Sequence, residues 1–233
     1  MRHIRMRLHS RTSQWLAWLV ACTCAWPVQA AGSNGPEHPL LKGCAADTLP
    51  LCAAGLEARA LKAHASQARR DGRALWLTLG PANMPMRLDD DATGAMAYRY
   101  LGPLAGTELH LVMQWGRGGP ARFQPVGPGM ATTVKLNAPP WPSPDGRLLG
   151  VAVAAGPGRV GQLMLWGRVG PQWRMLYSFD PDPGMGFEFK GWRADGAALR
   201  LAWHCPQQGG ATQLRDGPYG WDLTPAPPAH CGD

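Results

Sequence analysis

Apolar and polar positions follow two periods along the chain. Over Ala53–Arg70, Leu56, Ala60, Leu61, His64 and Ala68 recur at helical intervals. Glu57 lies near the start of that run, Arg69 and Arg70 at its end, and Asp71-Gly72 beyond it. Acid first, base last and glycine past the end predict one helix over about 53–70. From residue 73 the pattern becomes short apolar or alternating runs. They are Arg73–Leu79, Met84–Leu88, Ala97–Leu101, Leu109–Trp115, Ala131–Leu136, Leu148–Ala154, Gln162–Trp166, Trp173–Phe179, Phe187–Trp192 and Leu199–Trp203. Gly, Pro and Asp clusters separate them every ~8–12 residues, the rhythm of an all-β array. The expected fold is mostly β with one N-terminal helix.

Two motifs recur in the same order. Trp115-Gly116-Arg117-Gly118-Gly119-Pro120 returns 51 residues later as Trp166-Gly167-Arg168-Val169-Gly170-Pro171. Asp145-Gly146 returns 50 residues later as Asp195-Gly196. The spacing predicts two propeller-blade-like antiparallel meanders of about 50 residues each. Two blades cannot close a propeller, so the sheets must fold together or have their edges covered, and the helix is a candidate cover.

Ser143-Pro144-Asp145-Gly146-Arg147, followed by the apolar Leu148 to Val153 and then Leu163-Met164-Leu165-Trp166, resembles TolB-type and WD-type propeller repeats. The stretch Tyr98 to Trp203, with Tyr98-Arg99-Tyr100-Leu101-Gly102 ahead of that turn, is similar to a group of uncharacterised bacterial exported β-rich proteins. The resemblance covers about residues 98–203. It implies a propeller-like β fold and no particular activity.

The N-terminus changes the picture of where the protein works. Arg2, Arg5, Arg7 and Arg11 precede an apolar run from Trp15 to Ala25, then Pro27 and Val28-Gln29-Ala30. That order predicts a cleavable secretory signal over 1–30. A competing reading makes Leu19-Val20-Ala21-Cys22 a lipobox with a lipid on Cys22. The leader holds four of the seven net positive charges, so the remainder carries three. No block of like charge suggests a nucleic-acid tail, and no later run is long enough to span a membrane. The expected organisation is a leader (1–30), a flexible lead-in with a disulfide-pinned helix (31–72), a β domain with the two-unit repeat (73–205) and a Pro-rich tail (206–233).

Four cysteines follow the leader. In an oxidising compartment they favour Cys44–Cys52 and Cys205–Cys231, which close short loops and staple the tail. A weaker reading takes His204-Cys205 and His230-Cys231 as a zinc set. No Gly-x-Ser-x-Gly elbow or His-Glu-x-x-His pair occurs, and Ser143 reads as a turn residue. His110, between Leu109 and Leu111, reads as a structural histidine. Asp89-Asp90-Asp91 reads as a solvated turn. Asp180, Asp182 and Glu188 form a calcium candidate. Trp76, Trp115, Trp166, Trp173, Trp192, Trp203 and Trp221 are expected to pack between sheets, or to line a sugar- or peptide-binding face.

No cofactor is implied. The leading expectation is a non-enzymatic periplasmic or secreted module that presents a sheet surface to a protein or cell-wall component. Alternatives are an envelope hydrolase built on Asp180, Asp182 and Glu188, and an inhibitor or immunity-like protein acting through loop 116–120 or 180–187.

Overall fold

Alternation decides the sheets. In β2 (Ala74–Leu79) Leu75, Leu77 and Leu79 are buried while Trp76 and Thr78 face the other way, as a period of two requires. The computed structural model describes residues 36–44, 48–80, 83–117, 119–156 and 160–231. The leader reading and Cys22 lie outside them. The described chain is mostly β, with one α-helix and four antiparallel sheets.

Each sheet is a meander of consecutive strands. Sheet 1 joins β1 (Ala68–Asp71), β2 and β3 (Met84–Asp89). Sheet 2 joins β4 (Met96–Pro103), β5 (His110–Gly116) and β6 (Arg122–Val126). Sheet 3 joins β7 (Trp141–Pro142), β8 (Leu148–Val153), β9 (Gln162–Val169) and β10 (Gln172–Phe179). Sheet 4 joins β11 (Gly186–Trp192), β12 (Ala198–His204), β13 (Gly209–Gly217) and β14 (Gly220–Thr224). Two four-stranded meanders are thus present, preceded by two three-stranded ones that the sequence pattern did not separate as units.

The apolar clusters show how the sheets meet. Leu75, Leu77 and Leu79 of sheet 1 pack with Tyr100, Val112 and Val126 of sheet 2. The opposite face of sheet 2, with Leu101, Leu111, Met113 and Phe123, packs with Leu149, Val151, Val153 and Met164 of sheet 3. Leu163 and Leu165, on the other face of sheet 3, pack with Phe187, Phe189, Leu199, Leu201 and Leu214 of sheet 4. Each cluster bridges successive sheets. No buried cluster among the described residues joins sheet 4 to sheet 1. The sheets form an open array, with one face of sheet 1 and one of sheet 4 left to solvent.

In sheets 2, 3 and 4 the turns between first and second strands share one design. The amide of residue i bonds the carbonyl of i+5 in Leu104–Leu109, Ser143–Leu148 and Arg193–Ala198, at 2.8, 2.9 and 2.9 Å. The amide of i+3 returns to the carbonyl of i in each. Gly106, Gly146 and Gly196 have φ of +73°, +67° and +71°, a region that excludes most other residues. Gly106 and Gly146 touch backbone to backbone, and Gly196 lies against Pro144 and Asp145. The two Asp-Gly motifs therefore occupy matching places. The two Trp-Gly-Arg motifs do not: Trp115 lies on the second strand of its sheet, Trp166 on the third of its own.

Helix α1 covers Leu49–Ala63, not 53–70. It starts earlier because a proline fits its first turn. It stops at His64, and Arg69-Arg70 belong to β1 instead of capping the helix. The segment 131–136 is not a strand and makes one isolated bridge, Leu136 to Phe123. The Pro-rich tail begins only after β14; residues 209–224 are a hairpin. Both disulfides form, Cys44–Cys52 and Cys205–Cys231. No helix among the described residues is long and apolar enough to cross a membrane.

Candidate functional site

The densest polar site lies where α1, sheet 1 and sheet 2 meet. Strand β4 is an edge of sheet 2, and α1 packs along it. An edge strand leaves every second amide and carbonyl unpaired. Here side chains take the place of a neighbouring strand. Glu57 Oε1, from α1, accepts the Tyr100 amide at 3.2 Å. Asp90 Oδ1 accepts the Tyr98 amide at 2.7 Å. The Tyr98 carbonyl accepts from Arg70 at 2.6 Å and from Arg99 at 2.7 Å.

These four ionic groups also bind one another. Arg70 reaches Glu57 at 2.5 Å and Asp90 at 3.0 Å. Arg99 reaches Asp90 at 3.1 Å and Glu57 at 3.5 Å. Two acids and two bases balance in a largely buried place, which a charge tolerates only when paired. Asp90 thus corrects the reading of 89–91 as a solvated turn. Only its neighbours fit that reading. Asp89 pairs with Arg87 in the open, and Asp91 accepts from the Thr93 amide and hydroxyl, which hold its carboxyl below the usual range.

Above this network the outer face of sheet 1 carries a ladder. Arg69, Trp76 and Arg87 are directly opposite one another across the three strands. Both guanidinium carbons approach the indole, at 5.2 and 5.3 Å from its centroid. Cross-strand and cation–π contacts hold the side chains in order. Beside them is an open concavity of about 360 Å³ lined by Asp71, Arg73, Ala74, Trp76, Arg87, Asp89 and Asp90.

A second polar centre is buried. Tyr100, fully buried, shares a hydrogen bond of 2.8 Å with His110 Nδ1. His64 meets the Tyr100 ring edge-on at 6.3 Å. Burial lowers the His110 pKa, helped by His64, and raises that of the Tyr100 phenol. His110 holds Tyr100 in place inside sheet 2. Ser143 is likewise a turn residue: its hydroxyl donates to Asp145 and accepts from the Leu148 amide.

The remaining sequence candidates stay apart. Asp180 accepts from Gln162, Asp182 pairs with His230, and Glu188 pairs with Lys190. Among the described residues no three His, Cys, Asp or Glu gather as a ligand set. The zinc reading of His204-Cys205 and His230-Cys231 is overturned, because the two sulfurs are joined to each other. Loop 180–187 is packed: Pro181, Met185, Gly186 and Phe187 are buried. Of loop 116–120, Gly118 lies outside the described residues.

The sequence reading places Glu57 near the start of the helix, Asp90 in a solvated turn and Arg99 in the Tyr98–Gly102 motif; they act together only through tertiary contact. The one available signal was the unusual density of arginine around residues 69–99. In comparisons with known proteins, no family model, no curated protein and no solved structure matches the chain.

Proposed function

We propose that the chain is an exported, non-enzymatic binding module of the cell envelope. It presents the outer face of sheet 1 to a protein or cell-wall component. The observation that carries this reading is the Arg69–Trp76–Arg87 ladder beside an open, polar concavity. Ordered arginine and tryptophan on a rigid sheet are typical binding anchors. The largest ionic cluster, by contrast, is engaged in capping β4. Two disulfides fit a compartment outside the reducing cytoplasm.

The test is photo-crosslinking from position 76 of the exported protein in its native envelope, alongside sedimentation with purified cell-wall material. A discrete adduct or cosedimentation, lost in Arg69→Glu/Arg87→Glu, is expected. Unchanged binding in that variant would overturn the reading.

One observation favours the inhibitor class instead. The tight turn of the β13–β14 hairpin, between paired Gly217 and Gly220, holds Tyr219 fully exposed. If Tyr219→Ala abolishes binding and the arginine variant does not, the hairpin tip is the contact.

A further inference from the structure

Residues 36–43 lie across sheets 2 and 3 as a strap with two attachments of different kinds. At one end Cys44 is bonded to Cys52 of α1. At the other His38 inserts its ring, only 7% exposed, against Trp141 of β7. Its Nδ1 accepts the Leu40 amide at 3.3 Å. Its Nε2 meets the Pro140 carbonyl at 3.1 Å and must donate to it. Between the attachments Leu40 and Leu41 pack on the cluster of sheets 2 and 3, and Leu40 approaches Gly102 of β4.

This pair of bonds defines the protonation state. One ring nitrogen accepts and the other donates, which only neutral imidazole can do. An imidazolium would point an N–H at the N–H of Leu40. No ionic group offsets this. The strap's own Glu37 engages the Gly43 amide. Among the described residues the segment entering β7 offers the Pro140 carbonyl and the Trp141 ring, and β4 offers Gly102, where the His64 ring also lies beside Leu40. No ion pair involves His38 among the described residues.

Opening exposes the half-buried Leu40 and Leu41 but breaks no sheet hydrogen bond among the described residues. The bonds Leu41 to His38 and Cys44 to Leu41 are internal to the strap. No sheet ladder among the described residues includes the strap. Beneath the ring, Trp141 stacks on Phe189 at 4.2 Å, and Trp192 donates to the Trp141 carbonyl.

We propose that residues 36–43 form an acid-released strap: neutral His38 keeps it closed over Trp141, and protonation opens it while the four sheets stay folded. The disulfide keeps the opened segment tethered, and opening bares an aromatic surface bridging sheets 3 and 4.

Hydrogen exchange on the oxidised full chain, corrected for intrinsic rates, tests this. As the pH falls from about 7 to about 4, peptides within 36–44 should exchange at least about ten-fold faster, while β5 and β8 stay protected. In His38→Gln, whose amide supplies a donor and an acceptor without titrating, the acid step in the strap should vanish. A strap that is open in His38→Gln at every pH, beside a wild-type chain that opens in acid, also identifies the ring as the latch. The proposal is overturned if the wild-type strap stays protected at the low end. Simultaneous loss of protection in strap and sheets, or the same acid step in both proteins, overturns it too.

Discussion

Sheets 1 and 2 are both three-stranded meanders, yet they solve opposite problems. In sheet 2, residues His110 to Gln114 of β5 are buried on both faces, one toward sheet 1 and one toward sheet 3. In sheet 1 only the Leu75–Leu77–Leu79 face is buried, and the other carries the ladder. The inner strand β5 is held by apolar packing on both faces. An end sheet needs an apolar face inward and a soluble, ordered face outward. The array can stop at sheet 1 because its outward face is polar, so no further sheet is needed to cover it. The same difference leaves the Arg69–Trp76–Arg87 ladder, the surface proposed above for binding, on a face that no other sheet covers.

Four measurements sharpen the contrast. The largest effect is expected at the seam between the two sheets. Glu57→Ala removes the acceptor of the Tyr100 amide and leaves two guanidinium groups facing Asp90 alone, and should cost about 3–5 kcal/mol in urea unfolding. A loss below about 1 kcal/mol would mean that water caps the β4 edge equally well. Next is Leu111→Ala, fully buried in the inner sheet, for which about 3 kcal/mol is expected from the same experiment. A much smaller loss would show that sheets 2 and 3 are not closely packed.

The third measurement is pH dependence. Burial drives the His38 pKa from 6.5 down to about 4, and His110 moves in the same direction. As pH falls the unfolded chain takes up protons first. Stability is therefore full above about 6.5 and is lost progressively down to about 4. For His38 the loss is at most about 3 kcal/mol. Stability that is flat or rising over that window would contradict the buried neutral rings. The smallest effect belongs to the outward faces. Trp76→Ala should cost about 1 kcal/mol, and Arg200→Ala, on the exposed face of sheet 4, under about 0.5 kcal/mol. Thermal melts resolve the ranking.

Legibility in the sequence follows the same division. The strands β2, β5, β8, β9 and β12 announce themselves through dense apolar residues, because they form the interior. Strands β13 and β14 are missed because few of their residues are buried: Thr212 and Leu214 in one, Leu223 in the other. β6 holds Pro125, and β7 is only Trp141 and Pro142. Turn chemistry is local, so Asp-Gly at 145 and 195 and the turn role of Ser143 can be read directly. The ion network is not local. Glu57 and Arg99 are 42 positions apart, and Arg70 reads as a helix cap until the short Gly72 turn of β1 and β2 is seen. The recurrence of Trp-Gly-Arg shows the opposite risk: similar words can stand on different strands.

The row of glycine turns fixes where this chain can grow. At Gly146 even one added carbon would strike the Gly106 backbone, and Gly196 sits just beyond. Each of these turns is a spacer as well as a reversal, so a lengthened loop there would pry two sheets apart. Among the described residues the Gly217–Gly220 hairpin has no such neighbour, and Tyr219 ends in open solvent. New sequence can be added to the protein at that tip without moving a sheet, and it is the natural place to attach a reporter.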